Sequence, residues 1–535
     1  MTVYPHTKLF IEGSRTILIS GPHIQVLDPK TGDIISSTAT LNGADKDALL
    51  KSGPIRCAAV DENCKYIATS GDDKVLKVWE VEGLKLLSRR EAPKKPTDIK
   101  FTRDAQKIVV ADKFGDIFSY PLHQDASEPA SAPKKDRALA SHDNPAGGHL
   151  VLGHTSMLTT FALTSDERFI ISADRDEHIR VSWFPQGYNI ERYCLGHEKY
   201  VSSIHIPKFD GAILISGGGD PMLKVWDWML GALRYEVAVA DVVYPYIKVA
   251  APKVKSGWDE EGEGNKGKRG KNKGKSEETG TPDPATAPTA NNDVGYAEAD
   301  AAQTHTVLAV QKIETIEDAT SGRHVLFSVT GATAVFYFPY GGAVEPSQIQ
   351  AFDFNRPVLD FAPVPGSPGL LLVLLDPNFK QDLSASADQG APLVQALRWD
   401  GSGFTDVNSA DASFSTLLAS MNSQCRIAAD AEQSLRLDLY SPLLTLPKNA
   451  QVEHDPMDRE AIEFPDQAGA ETPTKGKAAK SLSAKEIARL TRKQKLEEQL
   501  RARAQGSTQD DAERDFKKPR SDDDNDQREE KMDVS

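Results

Sequence analysis

The sequence predicts an all-β fold, a β-propeller of seven four-stranded blades with low-complexity insertions and a charged C-terminal tail. Two observations carry this. First, residues 153–184 and 196–228 are two copies of one pattern. Each opens on Gly-His, runs through apolar strand-like stretches to an Asp-containing turn, and ends in a β-rich run. His154 and His197 stand 43 residues apart, the period of one propeller blade. Second, weaker copies of alternating apolar and polar residues between turn signals fill the rest of 1–447.

The units follow in order. Residues 7–40 alternate apolar and polar around turn glycines. Residues 52–90 contain SGDDKVLKVWE at 70–80, a good match to the third-strand pattern. Residues 95–122 hold DIKFTRDAQKIVVADKFGDIFSYPL, and the two strong copies come next. Residues 303–340 and 350–400 supply the last two units, with HVLFSVTGATAVFYF and VLDFAPVPGSPGLLLVLL as their clearest strands. Ring closure removes exposed sheet edges. The expectation is that N-terminal and C-terminal strands meet there, with LRLDLYSPLLTL at 435–446 taking part.

Three segments do not read as propeller. Residues 123–148, rich in Ala, Pro, Ser and Lys, read as a disordered loop between blades. Residues 253–300 run from a charged stretch through GNKGKRGKNKGK into Pro, Thr and Ala, with too little apolar material to pack. The tail, 448–535, is polar and charged and reads as mostly disordered. Within it Ser483 and Glu486 form a capping box, which predicts one helix over about 484–504. Lys485, Arg489, Arg492 and Lys493 share a face of that helix and are candidates for RNA contact, against the plainer reading of a solvated face.

The repeats imply a buried polar chain inside a blade. A Gly-His histidine, a Ser on the second strand, a turn Asp and a Trp indole can hydrogen-bond in series, so that each polar group is satisfied. The second copy supplies His197, Ser216, Asp220 and Trp226. In the first copy His154 and Asp176 take the corresponding places by spacing, with Ser182 where the Trp would stand. These six residues, His154, Asp176, His197, Ser216, Asp220 and Trp226, are read as structural.

Composition narrows the function. Net charge is −15, so global electrostatics do not draw the chain to nucleic acid or anionic membrane, and any such binding must come from local patches. The four cysteines form no C-x-x-C pair and are expected to be reduced core residues. The longest apolar run, LLLVLL at 370–375, is too short to span a bilayer, and no membrane association is expected. MTVYPHTKLF carries no signal-peptide pattern. Lys517-Lys518-Pro519-Arg520 is a candidate import signal, and the expected location is the nucleus.

No catalytic constellation emerges. Gly217-Gly218-Gly219-Asp220 is followed by a strand-like PMLKVWDW, whereas an anion-binding glycine loop needs a helix behind it. The glycine-lysine run at 262–269 lacks the magnesium-binding Ser or Thr and any flanking strand. No nucleophile elbow or metal-binding His/Glu cluster is evident. The chain is therefore read as a non-enzyme without cofactor or metal. The turn 174–180 stands out instead: a blade needs one acid here, yet the turn reads DRDEHIR. Arg175, Glu177, His178 and Arg180 are candidate partner-binding residues, against the alternative of a merely solvated turn.

One resemblance sharpens this. The runs ADRDEHIRVS and YCLGHEKYVSSIHIP, with LISGGGDPMLKVWDW after them, resemble the WD-repeat, non-catalytic subunit of the eukaryotic tRNA (guanine-N7)-methyltransferase, of fungal type. The close resemblance covers about 150–230. It implies a propeller bound as a heterodimer to a separate catalytic subunit that carries S-adenosylmethionine and methylates N7 of a variable-loop guanine in tRNA. The propeller would stabilise that subunit and help position the tRNA. It further implies docking through Arg175, Glu177, His178 and Arg180, and a tRNA contact for the basic tail helix. The residues alone also fit a generic interaction scaffold, such as a ubiquitin-ligase adaptor or ribosome-assembly factor.

Overall fold

The computed structural model describes residues 2–12, 14–123, 144, 146–251, 306–318, 322–367, 369–380, 391–407 and 412–448. The chain divides into two units, 1–463 and 464–535, and every described residue lies in the first. The predicted tail helix, with Lys485, Arg489, Arg492 and Lys493, lies outside the described residues.

Seven four-stranded antiparallel sheets follow one another along the chain, each built from four consecutive strands. Blade 1 spans 6–37, blade 2 55–91, blade 3 96–153, blade 4 158–194, blade 5 201–238, blade 6 310–353 and blade 7 358–406. The strands are short and mostly buried in their middle two members, which read as near-continuous apolar runs because a blade is covered on both faces. Each interface between neighbouring blades holds its own apolar cluster. Ile17, Ile19, Ile67 and Trp79 join blades 1 and 2, and Trp226, Ile171 and Val181 join 4 and 5. Clusters at all seven interfaces close the ring and confirm the seven-bladed expectation.

Closure differs from the expected mixture of terminal strands. Blade 1 is made wholly from 6–37 and blade 7 wholly from 358–406. Their faces meet through Leu9, Leu18, Leu359 and Leu372, with Leu417 and Met421 of a helix, Ala412–Asn422, packed into the seam. Asp360 on the first strand of blade 7 accepts the Leu9 N–H at 3.1 Å. The N-terminus contributes only a two-residue pairing of Thr2–Val3 with Ala428–Ala429. Residues 435–446 are not a strand: Pro442 opens a short helix, Pro442–Thr445.

The flanking strands give the two insertions their places in the chain order. Residues 123–148 fall inside blade 3, between its third strand Asp116–Pro121 and its fourth, His149–Gly153, and not between blades. The fourth strand lies beyond the insertion, so the contiguous pattern ends one strand early. Residues 253–300 do lie between blades, after Ala232–Ala238 of blade 5 and before Val310–Asp318 of blade 6.

In an antiparallel meander the second-to-third turn and the linker to the next blade emerge at the same end. They are tied together blade after blade: Ile55 N–H to Gly21 O, Lys113 N–H to Lys95 O, Arg175 N–H to Met157 O, and Gly219 N–H to Tyr200 O. The segment after blade 7 crosses this end. Tyr440 OH donates to Asp376 at 2.7 Å, and Leu443 and Leu446 pack with Tyr200, Val307 and Ala309.

Candidate functional site

The polar chain of blade 5 forms as the sequence predicts. Trp226 Nε1–H donates to Ser216 Oγ at 2.8 Å, and Ser216 Oγ meets His197 Nε2 at 2.7 Å. The other ring nitrogen, Nδ1, donates to Asp220, which also accepts the Glu198 N–H at 3.1 Å. All four residues are buried. Gly196 at the head of the repeat lets the Trp226 ring approach, since a Cβ there would lie 3.2 Å from it.

Blade 4 uses a different acid. His154 Nδ1 donates to Asp174 at 2.8 Å, and its Nε2 lies 2.8 Å from Ser172 Oγ. Asp174 is buried on the last position of the strand Phe169–Asp174 and accepts the N–H groups of Asp176 and His178 at 2.8 and 3.0 Å. Burial pushes its carboxyl up, but the hydrogen bonds from His154 and His178 outweigh this and leave it below the ordinary range. Asp176, placed in this role by spacing, instead points outward. Asp174 occupies the location two residues earlier where blade 5 has Gly218, so the histidine is satisfied before the turn begins. Ser182 Oγ, which replaces the indole, is buried without a hydrogen-bond partner.

This anchored hairpin carries the predicted docking residues, and it divides them. Glu177 sits at the turn tip in the left-handed region, φ 76°, with Asp176 beside it. His178 is exposed, and its ring lies 6.5 Å from Tyr193. Arg175 and Arg180 are buried, at 8% and 7% exposure. Arg180 Nη1 donates to Gly153 O at 2.9 Å, and burial lowers its pKa. Arg175 Nη1 reaches Thr445 O at 3.5 Å. The two arginines therefore brace the hairpin within the chain, and the face offered outward is Asp176, Glu177 and His178. Lys448 lies against it, 3.2 Å from Asp176 and 3.0 Å from Glu177. A cavity of about 340 Å³ opens beside this contact, between Arg175, Glu177, Lys199, Tyr200 and Val307.

Sequence reading missed an apolar strip that continues from His178. Tyr193, Ile190 and Tyr188 on the outer edge of blade 4, and Leu195 after it, are exposed. So are Met229, Leu230 and Leu233 of blade 5. The two edges touch: a Cβ on Gly231 would lie 2.6 Å from Tyr193 O, and Gly231 adopts φ +65° at this turn. Contiguous exposed apolar surface of this kind marks interaction sites. Its signal in the sequence was the apolar content of IERYCL on the fourth strand of blade 4 and of WMLGAL at the turn into the fourth strand of blade 5, where no further strand covers them.

The remaining chemistry is quiet. All four cysteines are buried and free, and burial pushes the Cys57 and Cys194 thiols up to about 12. Among the described residues no group of three His, Cys, Asp or Glu is placed to hold a metal ion, and no helix is long and apolar enough to cross a membrane.

Comparison with known proteins points one way. A family model described as the WD40 domain of the tRNA methyltransferase TRM82 matches residues 43–147 and 138–397. The chain is similar to the tRNA (guanine-N(7)-)-methyltransferase non-catalytic subunit TRM82 of Vanderwaltozyma polyspora, 35% identical over 195 residues, covering 35% of this chain and 40% of the relative. It is similar to the same-named subunits of Sclerotinia sclerotiorum, 37% identical over 242 residues (37% and 46% covered), and Aspergillus fumigatus, 38% over 237 residues (35% and 47%). The match spans less than half the length of each of these relatives.

Proposed function

The chain belongs to the TRM82 WD40-domain family, and on that premise we propose that it is the non-catalytic subunit of a tRNA (guanine-N7)-methyltransferase. It holds a separate catalytic chain in a productive state and helps position tRNA for methylation at N7 of a variable-loop guanine. The methyl donor, S-adenosylmethionine, belongs to that partner. A one-to-one heterodimer and a nuclear location are parts of the same proposal.

The observation that carries it is the blade 4 hairpin. The ADRDEHIRVS run folds as a turn braced from beneath by His154–Asp174 and by two inward arginines, which leaves Glu177 and His178 displayed on a rigid support. Next to them runs the apolar strip of Tyr193, Ile190 and Leu230. An acidic tip beside an apolar strip suits a partner with a basic rim around an apolar patch, where charge sets register and buried apolar area supplies affinity. A rigid scaffold of this kind lowers the ordering cost of a partner's mobile elements.

The test is deletion of the gene with measurement of N7-methylguanosine in bulk tRNA, together with co-purification. Loss of the modified base and recovery of a methyltransferase subunit support the reading. Unchanged N7-methylguanosine overturns it, as does methyl transfer by the isolated chain.

A further inference from the structure

The same end of the ring carries a second surface, on blades 2 and 3, that plays no part in the proposed docking. Lys74 lies in the second-to-third turn of blade 2, Lys94 and Lys95 in the linker that follows, and Lys113 in the corresponding turn of blade 3. The backbone holds these pieces together: Ala92 N–H donates to Lys74 O at 2.9 Å and Lys113 N–H to Lys95 O at 3.1 Å. At the tip of the blade 3 turn stands Phe114, 40% exposed, its N–H fixed by Asp112 at 2.8 Å. The Lys94 ammonium sits 4.1 Å from the centre of the Phe114 ring.

The local charge runs against that of the chain. Arg56, Lys74, Lys77, Lys94, Lys95 and Lys113 gather here against Asp72, Asp73, Glu91, Asp112 and Asp116. Asp72 is bridged by Arg56 and Lys95, Asp73 is bound by Lys77, and Asp112 and Asp116 are buried behind the turn. Burial, together with the neighbouring Lys95, Lys74 and Lys94, lowers the Lys113 pKa to about 8, which places the four lysines within each other's field.

We propose that Lys74, Lys94 and Phe114, backed by Lys95 and Lys113, form an RNA-binding surface in which the Lys74 and Lys94 ammonium groups contact phosphates and the Phe114 ring stacks on an unpaired base. Closely set lysines neutralise successive phosphates without reading sequence, and an exposed ring among them adds base stacking. An acidic protein segment would use the lysines but not the aromatic tip. The choice of RNA over another polyanion rests on the function proposed above.

The experiment is fluorescence anisotropy of transcribed tRNA with the full-length chain over a range of salt concentrations. The variant Lys74→Glu/Lys94→Glu changes two half-buried side chains and leaves the buried Lys113 intact. Its affinity at about 100 mM salt is expected to fall at least about tenfold, and the slope of log affinity against log salt to shrink by about one to two. Phe114→Ala is expected to weaken binding about five- to tenfold with the slope unchanged. If the reversal variant does not melt like the parent, Lys74→Gln/Lys94→Gln gives the same reading without added acid. Parental affinity and slope in the folded variants overturn the proposal, and so does displacement of tRNA by a polyglutamate peptide as effectively as by unlabelled tRNA. Co-purification separates the two readings. A chain that recovers no methyltransferase yet loses tRNA in the variant sinks the subunit proposal and leaves this surface standing.

Discussion

Lys448 places its ammonium 3.0 Å from Glu177, a residue 271 positions earlier, and so closes the segment after blade 7 onto the blade 4 hairpin. The same ammonium lies 3.2 Å from Asp176. Both partners of the pair are partly exposed, and pairs of this kind contribute about 0.2–1 kcal/mol. A basic group of the catalytic partner that binds Glu177 must displace Lys448. Lys448→Ala is therefore expected to raise the affinity for that partner about two- to fivefold, and Glu177→Lys to lower it at least about tenfold. Titration calorimetry with the purified catalytic subunit reads both. Equal affinities for parent and both variants remove this turn from the interface.

Asp174 and Asp176 make a sharper pair for stability. Asp174 is buried, accepts from His154 and caps two turn amides, whereas Asp176 faces solvent and Lys448. Asp174→Asn is expected to lower unfolding stability by about 2–4 kcal/mol, since it weakens three hydrogen bonds to a buried acceptor. Asp176→Asn should stay within about 0.5 kcal/mol. Urea denaturation of the two variants decides the matter, and the reverse order restores Asp176 to the structural role that its spacing suggests.

That reversal marks where the sequence stops being legible. Blade number, blade order and the polar chain of blade 5 were readable because a repeated packing problem leaves a repeated pattern in the chain. Asp174 was not, because Asp176 has the same spacing to Ser182 as Asp220 has to Trp226 and only geometry separates them. Arg175 and Arg180 counted as surface charge, but a blade is covered on both faces. Arg180 lies along the third strand and reaches Gly153 O with its guanidinium, so its charge did not signal exposure. The helix Ala412–Asn422 that seals the ring was readable in principle. Phe414, Leu417, Leu418 and Met421 fall at helical spacing, the pattern of one apolar face packed into the seam.

Ring closure supplies a third test. Asp360 is 5% exposed at its side chain, accepts the Leu9 N–H across the seam, and pairs with Lys312 of blade 6 at 3.0 Å. It thus ties together the three blades around the closure. Asp360→Leu leaves the Lys312 ammonium without this carboxylate and the Leu9 N–H without its acceptor, at a cost of about 3–5 kcal/mol. Asp360→Asn, which can still accept from Leu9, should cost less. A melting temperature for Asp360→Leu within about a degree of the parent would show that the apolar seam of Leu9, Leu359 and Leu417 closes the ring unaided.

His6 is fully buried under the same seam. Its Nε2–H donates to Met421 O at 3.2 Å, and its Nδ1 lies 2.7 Å from Ser20 Oγ. Burial pushes its pKa down to about 4, from an ordinary value near 6.5. As pH falls below about 6.5, the unfolded chain takes up a proton at this position that the folded chain refuses. The stability contributed by neutral His6 is therefore complete above that pH and is lost progressively down to about pH 4, at up to about 1.4 kcal/mol per pH unit. His23, also lowered to about 4 by burial, adds a parallel loss. Asp112, raised to about 6 by burial, acts in the opposite sense below pH 6 and partly masks both in the parent. The clean measurement is a difference. His6→Gln keeps a side chain able to hydrogen-bond but cannot titrate, so the parent should lose stability faster than the variant between pH 6 and 4.5, by about 1 kcal/mol per unit. Urea unfolding of both proteins across that range gives the two slopes, and parallel slopes would mean that His6 already carries its proton when folded.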